Sequence, residues 1–253
     1  MNLPKLSIIT VCFNEAKRIK ETCESIVNQT FQDFEWIVLD GGSTDGTVEI
    51  LSQYLYRMSY FKSAPDKGIY FAMNEGIEKA TGEYCLFLNG GDSLHTPFSL
   101  SQTMLFIGDN EDIIIGGVIL KTESSWSAYL RRTWSRFDFL FYGAPHQGTL
   151  ISTRLFQELD TFDTTYTIAA DQEFYLRALN NQNHIKVIPV LLANYYLGGV
   201  GSNISKEGLR EIYRLRKQYY GVFIAVVFRF FIRPLFHFRS ILVNILKNKI
   251  LFK

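Results

Sequence analysis

The first ninety residues alternate short apolar runs with longer segments whose apolar positions recur at helical spacing. The short runs predict buried strands, and the spaced segments predict helices. Strands are predicted over Leu6–Phe13, Phe34–Leu39, Met58–Ser63 and Tyr84–Leu88, and helices over Ala16–Asn28, Thr44–Tyr56 and Ile69–Ala80. This alternation is typical of an α/β fold with a mostly parallel sheet and helices on both faces.

Beyond residue 110 the pattern is less regular. Strands are predicted over Asp112–Leu120, Gln147–Ser152 and Ile185–Leu192, and helices over Asp171–Leu179 and Lys206–Tyr220. The segment Ser125–Phe141 is aromatic-rich and basic, which predicts a helix or a mobile lid.

The motif WIVLDGGSTDGT, residues 36–47, carries the strongest local signal of a binding site. Asp40 follows the apolar run, and ligands of open α/β sheets bind at the carboxyl ends of strands. Gly41 and Gly42 let the backbone turn tightly, and Ser43 or Thr44 can cap the next helix. The alternative is that Asp40 only starts a turn.

Polar clusters follow each of the first four predicted strands. They are Thr10–Glu15, Asp40, Asp66–Gly68 and Asn89–Asp92. Because the carboxyl ends of parallel strands meet at one edge of a sheet, the clusters predict a common pocket. The first strand is followed by VCFNEA and not by G-x-G-x-x-G, and the chain contains no G-x-x-x-x-G-K-[ST]. A dinucleotide-binding fold is therefore disfavoured, and a P-loop is excluded.

Four segments together resemble family-2 glycosyltransferases of the GT-A fold. They read SIITVCFNEA, WIVLDGGSTDGT, APDKGIYFAMNEGIEKATGEYCLFLNGGD and AADQEFYLR, and the resemblance covers roughly residues 5–205. It is strongest to bacterial enzymes that build surface polysaccharides. It implies a GT-A-like, mostly parallel mixed sheet flanked by helices, an inverting reaction, a nucleotide-sugar donor and a divalent metal, Mn²⁺ or Mg²⁺.

The resemblance, together with the charge distribution described below, predicts a division of the chain. Residues 1–211 would form the catalytic domain, with a donor half over about 1–110 and an acceptor half over 111–211. Residues 212–253 would form a basic, apolar, helical tail. Nucleotide binding is assigned to Thr10, Phe13, Asn14, Glu15, Asp40 and Lys67. Asp40 would bind the base, and Lys67 would reach the diphosphate.

Asp92 matches the acidic position of the family's metal motif, where this chain reads Asn89-Gly90-Gly91-Asp92. The family usually has more acids here, so weak metal affinity without donor is expected. One carboxylate can suffice, because Mg²⁺ keeps waters and binds substrate phosphates. The alternative is that Asp92 caps a helix over Leu94–Phe106.

Asp171 matches the second acid of the family's glutamate–aspartate pair, the catalytic base. Ala170 replaces the glutamate, and Glu173 would face elsewhere on a helix. A carboxylate within reach of the acceptor hydroxyl can remove its proton. Alternatively, Asp171 caps a helix over Gln172–Leu179.

Two further polar sites are implied near the substrates. His146 and Gln147, in APHQGTL, match a segment near the acceptor, and the alternative is a polar loop pair. Gly199 and Ser202, in YLGGVGS, match a Gly-rich loop near the diphosphate, where backbone amides can bind phosphate oxygens. The alternative there is a flexible turn.

The charge distribution sets the C-terminal residues apart. Residues 212–253 contain nine Lys or Arg and no acid, although the whole chain carries a formal net charge of only +1. Within them, Gly221–Phe238 is strongly apolar but has too short an uncharged stretch to span a membrane. The pattern predicts an interfacial helix on anionic lipid, with a core helix as the alternative. The bulky aliphatic content argues against nucleic-acid binding.

The cysteines and the first residues bear on location. Cys12, Cys23 and Cys85 form no C-x-x-C pair, which suggests a reducing compartment. The opening residues run into the first strand without the apolar core of a secretory signal. We therefore expect a cytoplasmic protein at the inner face of the cell membrane.

The sequence predicts an inverting transferase that moves a hexose from a UDP- or GDP-linked sugar to a lipid-linked saccharide in surface-polysaccharide synthesis. Two alternatives stay open. A sugar nucleotidyltransferase would use a similar sheet, although VCFNEAKR lacks the Gly-rich loop that triphosphate binding calls for. A non-catalytic, membrane-associated nucleotide-sugar-binding protein is favoured by the missing acids at Asn89 and Ala170.

Overall fold

A computed structural model describes residues 4–108, 111–141, 143–197 and 206–232 of the chain. The chain divides into two compact units, residues 1–203 and 204–253. Each is described by itself below.

The described residues of the first unit form one mixed sheet with helices around it. The strands are β1 (Leu6–Cys12), β2 (Phe34–Asp40), β3 (Tyr60–Ser63), β4 (Tyr84–Phe87), β5 (Ser93–Leu94), β6 (Ile113–Lys121), β7 (Trp126–Tyr129), β8 (Thr149–Ser152) and β9 (Ile185–Tyr196). The helices are α1 (Ile19–Val27), α2 (Thr47–Ser52), α3 (Ile69–Lys79), α4 (Ser99–Met104), α5 (Arg136–Phe141), α6 (Thr153–Leu159) and α7 (Ala170–Asn180).

The strand order places the ends of the first four strands side by side. The order is β3-β2-β1-β4-β8-β6-β9-β5, with β7 paired to β6. Strands β1, β2, β3 and β4 are mutually parallel where they pair, whereas β8 is antiparallel to both β4 and β6. The chain leaves β1 towards β2 on one side and returns as β4 on the other. The space above β1 is therefore the switch point at which ligands of such sheets bind.

The predicted core runs form the centre of this sheet. All seven residues of β1 are buried, in keeping with its mostly apolar sequence, LSIITVC. Helix α1 turns Ile19, Cys23 and Ile26 into the core at helical spacing. Helix α3 lies so close to β1 that a Cβ atom on Gly76 would sit 2.5 Å from Ile9 Cγ2.

Three predicted elements differ in detail from the structure. The helix predicted over Thr44–Tyr56 is the short α2 followed by a 3₁₀ turn at Leu55–Arg57. The segment Ser125–Phe141 contains β7 and α5. The strand predicted over Gln147–Ser152 begins as a 3₁₀ turn, His146–Gly148, before β8.

The second unit contains α8 (Lys206–Tyr220), α9 (Val222–Val227) and a π-helical turn, Phe228–Ile232. Helices α8 and α9 pack together, with the Arg216 guanidinium 4.1 Å from the centre of the Phe228 ring. The predicted boundary between residues 211 and 212 falls inside α8. Within the described residues, no helix combines the length and apolar character that a membrane span requires. The predicted apolar stretch beyond residue 232 lies outside the described residues.

Candidate active site

Asp40, at the end of β2, is held by the loop that follows it. Its Oδ2 atom accepts hydrogen bonds from Gly42 N (3.0 Å), Ser43 N (2.9 Å) and Ser63 Oγ (2.7 Å), and its Oδ1 atom accepts one from Ser43 Oγ. Burial to 3% exposure raises its pKa, but these donors together outweigh burial and lower it. The carboxylate is charged and fully engaged. This geometry supports the alternative that Asp40 starts the turn, and binding of a base by Asp40 stays a prediction.

The loop after β1 is tied to the loop after β2. Asn14, at a φ of 53°, accepts a hydrogen bond from Thr44 N at 3.0 Å, and its own N–H donates to Ser43 Oγ at 2.7 Å. Glu15 N donates to Thr47 Oγ1, while its carboxylate lies near Arg18. Burial raises the pKa of Glu15 more than Arg18 lowers it. These two predicted site residues therefore fix the shape of the sheet edge.

Thr10 and Phe13 occupy opposite environments. Thr10 is fully buried, and its Oγ1 atom accepts a hydrogen bond from Trp36 Nε1 at 3.0 Å. Phe13 is 60% exposed at the sheet edge. Of the two, only Phe13 can touch a ligand directly.

The loop after β3 forms an open rim. Asp66 and Lys67 are exposed, and Asp66 Oδ1 accepts a hydrogen bond from Gly68 N at 2.8 Å. The loop and the first turns of α3 border a cavity of about 260 Å³, with Lys67 and Phe71 in its lining. Lys67 is thus placed at the mouth of a cavity beside the end of β2.

Asp92 follows β4 and lies deep in the site, at 5% exposure. Its Oδ2 atom accepts a hydrogen bond from Gln147 Nε2 at 2.9 Å, and its Oδ1 atom accepts one from Tyr196 N at 3.2 Å. Burial raises its pKa to about 6, against the opposing effect of the Gln147 hydrogen bond. Strand β5 follows directly, and α4 begins only at Ser99. The alternative that Asp92 caps a helix is therefore wrong.

Asn89 joins the loop after β4 to His146. Its Nδ2 atom donates to His146 Nε2 at 3.0 Å. Its Oδ1 atom is buried and has no hydrogen-bond partner among the described residues. Such an oxygen is costly to bury unless something completes it.

Asp92 and Asn89 carry oxygen atoms of the kind that a hard divalent cation prefers as ligands. Among the described residues, no three His, Cys, Asp or Glu side chains cluster closely enough to hold a metal by themselves. A cation such as Mg²⁺ needs only one or two carboxylates when phosphates and waters complete its shell. A metal here would therefore need a bound diphosphate and water to supply its remaining ligands.

Asp171 lies in the first turn of α7 and is 8% exposed. Its Oδ2 atom lies 3.2 Å from His146 Nδ1, and its Oδ1 atom accepts a hydrogen bond from Gln172 N at 2.8 Å. The residue that caps α7 is Ala169, so the alternative that Asp171 is the cap is wrong. Glu173 points away and pairs with Arg177 at 2.9 Å.

His146 and Gln147 bring the two acids of the site together. His146 contacts Asp171, and its neighbour Gln147 contacts Asp92. If His146 Nε2 accepts the Asn89 proton, its Nδ1 atom carries a proton and donates to Asp171. The loop before β8 therefore links the loop after β4 to the start of α7.

One contributor was missed in the sequence, and two predicted residues lie elsewhere. The Tyr70 hydroxyl lies 3.3 Å from Asp171 Oδ1 and 2.9 Å from the Ile168 carbonyl oxygen. Burial raises the pKa of Tyr70 well above its usual value, so its proton stays on the oxygen. Its only sequence signal is its position directly after the loop at Asp66–Gly68. Gly199 and Ser202 lie outside the described residues.

The chain matches known proteins over most of its length. The model of the family described as "Glycosyl transferase family 2" matches residues 7–169. A PGL/p-HBAD biosynthesis glycosyltransferase of Mycobacterium bovis is 31% identical over 223 residues, which cover 84% of this chain and 85% of that protein.

Two solved structures share the fold. S. aureus TarS 1-349 in complex with UDP-GlcNAc has a TM-score of 0.66 and 20% identity, covering 88% of this chain and 66% of that one. The mannosyltransferase PcManGT from Pyrobaculum calidifontis, in complex with GDP-Man and Mn²⁺, has a TM-score of 0.60 and 16% identity, covering 87% and 62%. The chain spans only 40% of a longer TarS chain.

The mixed sheet with its loops above β1, together with the likeness to these solved structures, shows that the chain has a GT-A fold. The family match and the mycobacterial relative show that the chain belongs to glycosyl transferase family 2. The predicted fold class and the predicted transferase activity are confirmed. The nucleotidyltransferase and the non-catalytic binding protein are set aside, because the family transfers glycosyl groups.

Proposed function

We propose that this enzyme transfers a hexose from a UDP- or GDP-linked donor to a lipid-linked saccharide, with inversion at the anomeric carbon, in cell-surface polysaccharide synthesis. One observation carries the proposal. The adjacent residues His146 and Gln147 join Asp171, an acid suited to proton removal, to Asp92, an acid suited to hold a cation beside the donor's diphosphate. The two halves of a glycosyl transfer are thus built into one hydrogen-bonded cluster.

The donor would lie above the ends of β1, β2 and β4. Structural neighbours hold UDP-GlcNAc and GDP-Man, which supports a nucleotide-sugar donor for this chain. Phe13 offers an exposed aromatic face for the nucleoside. Lys67 offers a positive charge for the diphosphate, and the predicted loop with Gly199 and Ser202 would add backbone amides.

Asp171 is the proposed general base. It takes the proton of the acceptor hydroxyl while that oxygen forms a bond to the anomeric carbon. The bond from that carbon to the diphosphate oxygen breaks, and the nucleoside diphosphate leaves with the electron pair. Attack opposite the leaving group inverts the centre. A positioned base contributes roughly 10²–10⁴-fold.

His146 is the proposed positioning residue for Asp171. Its Nδ1–H group fixes one carboxylate oxygen, and Asn89 fixes the other side of the ring. Both side chains of the pair are largely buried, so few waters compete for the carboxylate. The remaining lone pairs of Asp171 are then available to the acceptor hydroxyl.

A divalent metal, Mn²⁺ or Mg²⁺, would be held by Asp92 with Asn89 Oδ1. When bound, it would neutralise charge that develops on the leaving diphosphate. Mn²⁺ in the neighbouring PcManGT structure supports this assignment. The buried Asn89 oxygen without a partner supports it from the chain itself.

The second unit would bring the enzyme to its acceptor. Phe223 is 81% exposed on α9, and Val222 and Phe230 are exposed nearby. Together with nine Lys or Arg and no acid over residues 212–253, these residues favour peripheral contact with an anionic membrane. We place the enzyme at the cytoplasmic face of the cell membrane, where a lipid-linked saccharide is available.

A product assay tests the proposal. The protein is incubated with UDP- and GDP-hexoses, Mn²⁺ and a membrane lipid extract, and the lipids are analysed by mass spectrometry. We expect one hexose to be added, with the opposite anomeric configuration from the donor by NMR. A retained configuration, or no product across the panel, would contradict the proposal.

A further inference from the structure

The end of β2 lacks a free acceptor for a nucleobase. Asp40 is buried, and its carboxylate already accepts hydrogen bonds from Gly42, Ser43 and Ser63. Breaking any of them would leave a buried charge with fewer donors, which is costly. A base that docks at this edge therefore needs another partner.

The Asp66 carboxylate occupies the place where such a partner would be. A Cβ atom built on Gly41 would lie 2.9 Å from Asp66 Oδ2 and 3.3 Å from Phe13 Cδ2. A side chain at position 41 would push the carboxylate away from this place. The loop after β3 thus delivers a carboxylate over the end of β2, between Gly41 and the ring of Phe13.

The Asp66 carboxylate is oriented and has one oxygen available. Gly68 N donates to Oδ1 at 2.8 Å, which fixes the side chain against its own loop. No donor in the described ranges contacts Oδ2. The residue is exposed, so a ligand can reach this oxygen from above the sheet edge.

Phe13 supplies the second half of a base site. Its exposed ring and the Asp66 carboxylate both lie next to Gly41, within 3.3 Å of the position that a Cβ atom on Gly41 would take. Aromatic faces accept any base by stacking, whereas selection among bases needs a hydrogen bond to the base edge. A base stacked on Phe13 can turn that edge towards Asp66 Oδ2.

We propose that Asp66, rather than Asp40, reads the base of the donor by accepting its imino N–H. The inference rests on the proposed function and deepens it. A carboxylate only accepts hydrogen bonds. Uracil N3–H and guanine N1–H satisfy it, whereas cytosine N3 and adenine N1 present lone pairs. Held opposite the imino position, Asp66 therefore favours uracil and guanine, because cytosine and adenine can offer a carboxylate only their exocyclic amino groups.

The test is a comparison of nucleotide selectivity. Calorimetry with UDP, GDP, CDP and ADP is carried out on the wild-type protein, Asp66→Asn and Asp66→Ala, all with Mn²⁺. We expect the wild type to prefer UDP or GDP over CDP and ADP by about 10–100-fold, the usual value of a hydrogen bond to a charged group. Asp66→Asn should lose most of that preference, because its amide can donate to cytosine N3. Asp66→Ala should lose it as well.

Glu75→Gln is the matched control. Glu75 and Asp66 both line the cavity beside the end of β2, but Glu75 is paired with Lys62 at 2.7 Å. Its neutralisation should leave the selectivity ratio unchanged. Asp40→Asn should lower thermal stability and leave the ratio of bound nucleotides in place.

The outcomes separate the inference from the proposed function. If the wild type binds no nucleoside diphosphate, both are wrong. If it binds UDP or GDP and Asp66→Asn keeps the wild-type ratio, only the assignment of Asp66 is wrong. A nucleotide selectivity ratio that changes in Asp40→Asn and not in Asp66→Asn would assign recognition of the base to Asp40.

Discussion

Two carboxylates of the site, Asp40 and Asp92, have similar burial but opposite electrostatics. Four hydrogen bonds from the loop residues outweigh burial at Asp40 and lower its pKa. At Asp92 burial dominates and raises the pKa to about 6. The first acid is a permanent structural anion. The negative charge of the second acid, Asp92, is poorly stabilised unless a cation binds, as expected for a proposed metal ligand.

We expect metal binding to weaken on acidification through pH 6. A metal binds the ionised carboxylate, so protonation of Asp92 competes with it. The apparent affinity for Mn²⁺ in the presence of UDP should fall up to about tenfold per pH unit below 6 and stay nearly constant from pH 7 to 8. Calorimetry between pH 5 and 8 measures this, and an affinity independent of pH would remove Asp92 from the metal site.

The free energy of unfolding of the metal-free protein provides the control. The contribution of Asp92 to it increases on acidification, whereas the affinity for the metal decreases. Because the folded pKa of Asp92 lies above the unfolded value, the folded state binds the proton more tightly. The ionised group opposes folding by about 3 kcal/mol above pH 6, and this penalty is relieved as pH falls from 6 towards 4. Denaturation of Asp92→Asn should lack this dependence. Weaker metal binding at pH 5 would therefore not be caused by unfolding, because protonation of Asp92 stabilises the folded protein.

His146→Gln tests the positioning role of His146. Glutamine cannot donate from the same place as imidazole Nδ1, so the Asp171 carboxylate should be less well oriented. We expect kcat to fall about 10–100-fold, within the range of base catalysis, with little change in donor affinity. His95→Gln is the control, because His95 contacts Asn194 outside the cluster. An unchanged kcat in His146→Gln, or an equal loss of kcat in both variants, would contradict a role specific to His146.

At the scale of elements, periodicity predicted the strands and helices of residues 1–110 well and those of later residues less well. The strands β1, β2 and β4 are mostly apolar and mostly buried on both faces, which leaves a clear signal in the sequence. The strand β5 is two residues long and, among the described residues, pairs with the distant β9 alone, so no local sequence pattern predicts it. For that reason Asp92 could be mistaken for a helix cap.

The close packing of α3 on β1 gives a prediction about Gly76. Alanine has the better helix propensity by about 1 kcal/mol, but its Cβ atom would meet Ile9. Overpacking in a core costs about 1–3 kcal/mol. The balance of these two effects predicts that Gly76→Ala lowers the free energy of unfolding by up to about 2 kcal/mol in urea denaturation.

The control for that measurement is Glu78→Ala, which places alanine at an exposed position of the same helix. It should be nearly neutral. A Gly76→Ala protein more stable than wild type would show that helix propensity, rather than contact with β1, governs this position.

At the scale of the whole chain, the sequence predicted which loops form the site but not how their side chains pair. Parallel strands bring the loops after β1, β2, β3 and β4 to one edge, and that follows from the alternation alone. The pairing of Asp171 with His146, and the approach of Asp66 to Gly41, depend on tertiary packing between distant segments. No motif spacing encodes these contacts.

Membrane contact by the second unit is tested with vesicles. We expect the protein to bind vesicles containing phosphatidylglycerol and to be released by salt, because basic residues meet anionic lipid. Phe223→Ser with Phe230→Ser should reduce binding by at least about tenfold, since each phenylalanine contributes about 1.5–3 kcal/mol when buried.

Tyr56→Ser is the control, since it removes an exposed aromatic ring from the first unit. It should bind vesicles like the wild type. Equal binding of the double variant and the wild type would contradict the proposed membrane surface.

The central claim is that Asp171 is the base of an inverting transfer, and Asp171→Asn tests it most directly. Donor affinity by calorimetry and the rate of transfer in a single turnover are measured on the same preparation. We predict unchanged donor affinity and a transfer rate at least about 100-fold lower, because the amide cannot accept the acceptor's proton. Transfer at the wild-type rate would contradict the claim.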